Sequence, residues 1–112
     1  MKIVTAVIKP ECLDACKTAL AQAGVRGMTL TSVSGFGQEV GHSEVYRGAR
    51  YNSDLISRVR IDVVSADEDA DTVVNVLVEA AKTGNDGDGF IWVAPLDRVV
   101  RINTGDENEA AL

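Results

Sequence analysis

Cysteine, proline, histidine and aromatic residues are all scarce in this chain. It has two cysteines, two prolines, one histidine and 4 % aromatics in 112 residues. Two cysteines cannot build a disulfide scaffold or supply the four thiolates of an iron–sulfur cluster. Cys12 and Cys16 lie four apart on an expected helix and share a face, so they read as small buried side chains. The lone histidine, His42, reads as a surface side chain rather than a ligand. No apolar run approaches the ~20 residues that span a bilayer. The opening "MKIVTAVIKP" has too short an apolar part, broken too soon by Lys9-Pro10, to act as a signal peptide, and a cytoplasmic setting is expected. Cations are short as well, eleven Lys and Arg against seventeen Asp and Glu for a net charge of −6. A duplex-binding module shows a basic face, so nucleic acid is not an expected partner.

What is present suits one soluble domain, with hydrophobic residues at 46 % and charged ones at 25 %. Lys2 to Ile8 is apolar on both faces and reads as a central strand. Pro10-Glu11 suits the first turn of a helix, in which Leu13, Cys16, Leu20 and Ala23 recur at helical spacing until Gly24 stops it. Met28 to about Gly35, rich in Thr, Ser and Val, predicts a second strand. From Gly37 to Ser57 apolar periodicity disappears, which predicts a loop of about twenty residues; such loops are functional or mobile. Strict alternation returns at Arg58 to Val64, with Val59, Ile61 and Val63 opposite Arg58, Arg60 and Asp62.

The acidic stretch "SADEDAD" predicts a helix start, with Ser65 or Asp67 as the cap. Val73, Val74, Leu77, Ala80 and Ala81 mark an amphipathic helix ending near Thr83-Gly84. Phe90 to Ala94 predicts a fourth strand and Val99 to Ile102 a short further one, before the polar tail "TGDENEAAL". The order β-α-β-β-α-β is that of a ferredoxin-like α+β sandwich with a long loop between strands 2 and 3. Two helices cover one sheet face only, leaving Val64, Trp92 and Ile102 in need of partners. An apolar sheet face left open implies association.

The stretch "TGNDGDGFIW", Thr83 to Trp92, packs three glycines and two aspartates before the only tryptophan. Glycine-rich turns cradle phosphate because backbone N–H groups approach an anion closely where no Cβ intervenes. Such turns usually recruit a cation, and here Phe90 stands in its place.

Element order and motifs together resemble the PII nitrogen-regulatory proteins along essentially the whole chain. "YRGARY", Tyr46 to Tyr51, matches one family signature except at Arg50, and "TGNDGDGF", Thr83 to Phe90, matches the other except at its last residue. "KIVTAVIKP", "GVRGMT", "GFG" and "VVRI.TG" carry the rest. The resemblance implies a single PII-like domain over 1–112, with a signalling loop at about 37–57 and a C-terminal segment at 96–112. It implies a non-enzymatic regulator of nitrogen metabolism. Such proteins are homotrimers that bind ATP or ADP in clefts between subunits. With magnesium, ATP admits 2-oxoglutarate, and the loop then engages ammonium transporters, other transporters or metabolic enzymes. Contact with a membrane would come only through such a transporter, and no covalent cofactor is implied.

Carried over by position, the nucleotide residues are Thr29, Gly35, Gly37, Gln38, Val64, Gly87, Asp88, Gly89, Phe90, Arg101 and Asn103. Thr29 and Val64 would frame the base, and the 87–89 amides with Arg101 would meet phosphates. Glu39 and Arg58 stand at the places that serve magnesium and 2-oxoglutarate. Tyr51 stands where many relatives are nucleotidylated, and its loop setting suits a modifying enzyme. At Gln38, Glu39, Phe90 and Asn103 the family usually has Arg, Gln, Lys and Arg, so three cations are missing and one anion is added. Two readings follow: a PII-type sensor, or a divergent paralogue with a reduced ATP and 2-oxoglutarate response that binds another small ligand or acts by contact. An acylphosphatase, sharing the sandwich, would need an arginine in a turn after the first strand, where this chain has Lys9-Pro10-Glu11.

Overall fold

The computed structural model describes residues 1–36, 42–46, 49–53 and 55–112, with the backbone alone for those between 42 and 53. Strand β1 (Lys2–Ile8) leads through a 3-10 turn, Pro10–Cys12, into helix α1 (Leu13–Gln22). Strand β2 (Thr29–Gly35) follows, then β3 (His42–Tyr46), β4 (Ala49–Ser53) and β5 (Ile56–Ser65). A second 3-10 turn, Asp67–Asp69, opens α2 (Ala70–Ala81), which is followed by β6 (Gly89–Pro95) and a last 3-10 turn, Asn108–Ala111. The main sheet has four antiparallel strands in the order β2-β5-β1-β6. This α+β arrangement of one sheet and two helices is consistent with the ferredoxin-like sandwich.

The core lies between the helices and one sheet face. Val4, Ala6 and Ile8 of β1 and Ile61 and Val63 of β5 are buried against Cys16 and Leu20 of α1 and Val73 and Leu77 of α2. Alternation on β5 follows the expected register: Val4 pairs with Val63 and Ala6 with Ile61, so the inward sets coincide across the ladder. Both cysteines are buried. Burial, and then the neighbouring Cys12, pushes the Cys16 thiol up to about 11, and this holds it as an inert thiol. Among the described residues no layer covers the opposite face of the sheet, and Val64, Phe90 and Trp92 are exposed there.

Several expectations are corrected. The patternless loop of Gly37 to Ser57 contains a two-stranded hairpin, β3 with β4, in which Glu44 pairs with Tyr51 and Tyr46 with Ala49. An amphipathic period appears where one strand face packs on a core; the sequence "HSEVY" and "ARYNS" carries polar residues at both parities, so backbone pairing left no hydropathy signal. Gly37, Gln38 and Glu39 lie outside the described residues, as does much of the stretch expected to be mobile. The strand expected at Val99 to Ile102 is only an isolated bridge, Val100 to Glu107. The polar tail is no free tail, because Ala111 is buried. At the start of α2, neither Ser65 nor Asp67 caps: Ala66 precedes the 3-10 turn without a side-chain bond. Ser65 is buried at the end of β5, and Asp67 instead accepts from the N-terminal ammonium at 2.6 Å.

Gly89 opens β6 at φ +110°, and a Cβ built there would stand 1.8 Å from the Val7 carbonyl oxygen. Gly84, at φ +85°, has nothing within 4 Å of the same position. The two therefore separate backbone strain from steric collision. Gly84→Ala should cost about 1–2 kcal/mol from the left-handed backbone alone, and Gly89→Ala about 2–4 kcal/mol more from collision with β1. Urea unfolding of the two variants checks this; equal midpoints would contradict it.

Candidate functional site

The turn between α2 and β6 is built around one carboxylate. Asp88 Oδ2 accepts from the Thr83 N–H at 2.8 Å and the Gly84 N–H at 3.1 Å, while its Oδ1 accepts from the Thr83 hydroxyl. Lys9, just past the end of β1, brings its Nζ to 3.3 Å from Oδ1. The Thr83 hydroxyl and backbone amide, with Lys9 and the Gly84 amide behind them, hold the Asp88 carboxyl down at about 2. Asp88 therefore closes the turn on itself, and the positive φ of Gly84, Gly87 and Gly89 lets the backbone follow. Arg58 reaches the same turn from β5, its Nη2 donating to the Gly87 carbonyl at 3.3 Å. Phe90 follows directly and is 79 % exposed. Gly35 ends β2 opposite Ile56, toward the same end of the sheet.

A second group of candidates lies at the other end. Thr29, Val64 and Arg101 line a pocket of about 880 Å³ beside the far end of β5, closed on one side by Ala111 and Leu112. Arg101 Nε donates to the Ala111 carbonyl at 3.0 Å. Asn103 is exposed in the turn beyond it. On β5, Arg58 and Val64 share a face but are six residues apart, or about 20 Å along the strand. The chain thus brings Gly35, Arg58 and Gly87 to Phe90 together at one end, and Thr29, Val64 and Arg101 at the other. It does not bring the two groups to one place. Gly37, Gln38 and Glu39 fall outside the described residues, and Tyr51 is placed by its backbone in β4 only.

Sequence reasoning missed the polar network between the two ends. On the open face Asp62 accepts from the Thr5 hydroxyl at 2.6 Å and from Arg60 Nε at 3.0 Å. The Arg60 guanidinium stands 5.8 Å from the Trp92 ring centroid. Burial works to raise the Asp62 pKa, but the Thr5 hydroxyl and Arg60 outweigh it and hold the carboxyl below its ordinary value. Alternation had put Arg60 and Asp62 on one face; only the register, Thr5 opposite both Asp62 and Trp92, joins them. Lys9 was missed for the same reason, since its partner lies 79 residues on.

The family model described as nitrogen regulatory protein P-II matches residues 1–106. The chain belongs to the P-II family. It is 49 % identical to the nitrogen regulatory protein GlnK of Escherichia coli (strain K12) over 112 residues, the whole of both chains. It is 47 % identical over the same span to the nitrogen regulatory protein P-II of Klebsiella oxytoca and to P-II 1 of Escherichia coli (strain K12). The protein is a PII-type nitrogen regulator, and the family consists of regulatory signal transducers rather than enzymes. No helix among the described residues is long and apolar enough to cross a membrane.

Within this PII chain the Asp88 contacts have a pH signature. Because the folded pKa lies below the ordinary carboxylate value of about 3.9, the contribution of this turn is complete above about pH 4 and is lost as pH falls toward 2. Followed by the NMR shift of its carboxyl carbon, Asp88 should titrate near pH 2 in the native chain. Removing the hydroxyl donor with Thr83→Val should move that midpoint up toward the ordinary carboxylate value. A midpoint that stays put would assign the depression to another group.

Proposed function

We propose that this PII protein works as a homotrimer, sensing adenine nucleotides at sites shared between neighbouring copies. The observation that supports this most is the separation of the family's nucleotide residues into two groups at opposite ends of one sheet, about 20 Å apart. A site using both needs the 87–90 turn of one copy and the Thr29, Val64 and Arg101 end of another. The uncovered sheet face supports the same assembly: Trp92 is 43 % and Val64 41 % exposed, and Thr5 is fully buried in a polar network that satisfies it before any partner arrives. In this reading the 87–89 amides and Arg101 meet phosphate, Thr29 and Val64 frame the base, and Gly35, Gly37, Gln38 and Asn103 complete the cleft. Glu39 and Arg58 stand at the place for magnesium and 2-oxoglutarate, and Tyr51 in the hairpin is the candidate modification site. The loop of about 37–57 would carry the signal to an ammonium transporter, another transporter or a metabolic enzyme from the cytoplasm, by a ligand-biased equilibrium of its conformations. The single domain over 1–112 and the C-terminal segment at 96–112 belong to this reading.

Phe90 favours the second reading, a PII paralogue with a reduced triphosphate and 2-oxoglutarate response. It places an exposed ring beside the phosphate turn where the family carries a cation. Two cations near the turn already have partners, Lys9 at Asp88 and Arg58 at the Gly87 carbonyl. Charge-assisted contacts are worth about 1.5–3 kcal/mol each, so the absence of cations at Gln38, Phe90 and Asn103 should flatten the preference for a third phosphate. Glu39 would repel a dianion placed next to it.

Two experiments test these readings. Sedimentation equilibrium at micromolar concentration should give three times the 11.9 kDa chain mass; a stable monomer would sink the shared site as well as the assembly. In calorimetric titrations, magnesium-ATP and ADP should bind within about threefold of each other, with little gain from 2-oxoglutarate. Phe90→Lys combined with Glu39→Gln should raise ATP affinity about tenfold or more and bring 2-oxoglutarate synergy. Tight magnesium-ATP binding that 2-oxoglutarate strengthens in the unaltered chain would restore the ordinary PII sensor.

A further inference from the structure

Arg101 belongs to a long, many-rotamer side-chain type, and its residue is exposed. An unheld guanidinium of this kind is a poor anion donor, because its order must be imposed when the ligand arrives. Here it is held in advance. The Nε–H donates to the Ala111 carbonyl at 3.0 Å, and that bond leaves the Nη edge, the fork that grips a phosphate, uncommitted. Among the described residues no other bond to this guanidinium is found.

The carbonyl that holds it is itself fixed. The chain from Arg98 onward doubles back on itself: the Asn108 N–H donates to the Val99 carbonyl at 2.8 Å, and the Val99 N–H donates to Asn108 Oδ1 at 3.3 Å. The Arg101 N–H donates to the Asp106 carbonyl at 2.9 Å, and the Gly105 N–H to the Arg101 carbonyl at 2.8 Å. Arg98 pairs with Glu107 across the same fold-back. Ala111 is 5 % exposed, so the end of the 3-10 turn is seated rather than trailing. From this geometry we infer that the Asn108–Ala111 turn is a positioning element, which presents the Nη edge of Arg101 to a ligand phosphate at the mouth of the 880 Å³ pocket. The inference rests on the nucleotide reading above and adds to it a role for the last residues of the chain.

The experiment is a calorimetric cycle with ADP and adenosine as probes, on the full chain, a chain ending at Glu109, Arg101→Lys, and the two changes together. Ending at Glu109 removes the holding carbonyl. Because it also removes part of the pocket wall at Ala111 and Leu112, the reading is the difference between the probes: ADP should weaken about tenfold more than adenosine, which has no phosphate. Arg101→Lys, which lacks the fork, should cost a similar factor, and shortening the Arg101→Lys chain should then cost less than twofold. Ala111→Leu, which overfills the buried seat while keeping the chain length, should reproduce the loss if the shortened chain does not fold. The inference is overturned if shortening leaves ADP binding unchanged, if adenosine weakens by the same factor, or if the two costs multiply. Should the full chain bind neither probe, the nucleotide reading fails first and this inference with it.

Discussion

Strand β1 is the constraint on which the molecule depends. It pairs along its whole length with β5 on one side and β6 on the other, seven residues in each ladder. Its inward residues Val4, Ala6 and Ile8 are the floor of the core, and its outward Thr5 anchors the Asp62 and Arg60 network. Each end of the strand then sets one end of the molecule. Ile8 pairs with Gly89, whose missing side chain lets the Val7 carbonyl pass, and Lys9 immediately beyond ties down Asp88. At the other end the Met1 carbonyl accepts from the Leu96 N–H, and the Met1 ammonium reaches Asp67 at the start of α2. A slip of one residue in β1 would turn Thr5 into the core and break both ends together.

The charge distribution follows the same logic. In a chain of net charge −6, cations are few, and Lys9, Arg58 and Arg60 are engaged by the protein itself. Lys9 closes the 83–89 turn, Arg60 neutralises Asp62, and Arg58 contacts Gly87. These contacts shape backbone amides and carboxylates rather than offering bare positive charge. In the proposed reading, anion recognition would rest on oriented N–H groups and on the Arg101 guanidinium edge, few contacts that are geometrically strict. That balance suits a sensor whose response must be reversible more than one built for the tightest hold.

Much of this was legible in the sequence, and the misses have one kind of cause. The double-faced apolarity of Lys2 to Ile8, the alternation of Arg58 to Val64 and the period of Val73 to Ala81 each report packing on a core, and each element formed where expected. β3 and β4 pair through their backbone with no apolar face in sequence, so periodicity could not find them. The C-terminal residues were read as polar because they are polar, yet Ala111 alone supplies the buried anchor. Motif matching placed Gly87, Asp88 and Arg101 in one functional set, but a linear pattern carries no distance. Their assignment to opposite ends of the sheet came only from the register.

That separation gives assembly a thermodynamic role in the proposed mechanism. If ligand groups are divided between copies, binding and association are linked: whatever stabilises the shared cleft stabilises the trimer by the same free energy. The 83–89 turn and the C-terminal turn are each ordered within one chain, through Asp88 and through Ala111. In the proposed cleft little ordering cost would then remain, and more of the ligand's binding energy would be left to act on the hairpin between β2 and β5. In this reading, half-sites that are already ordered on a common sheet would turn a small-molecule contact into a change of surface where β2 and β5 lead into the hairpin.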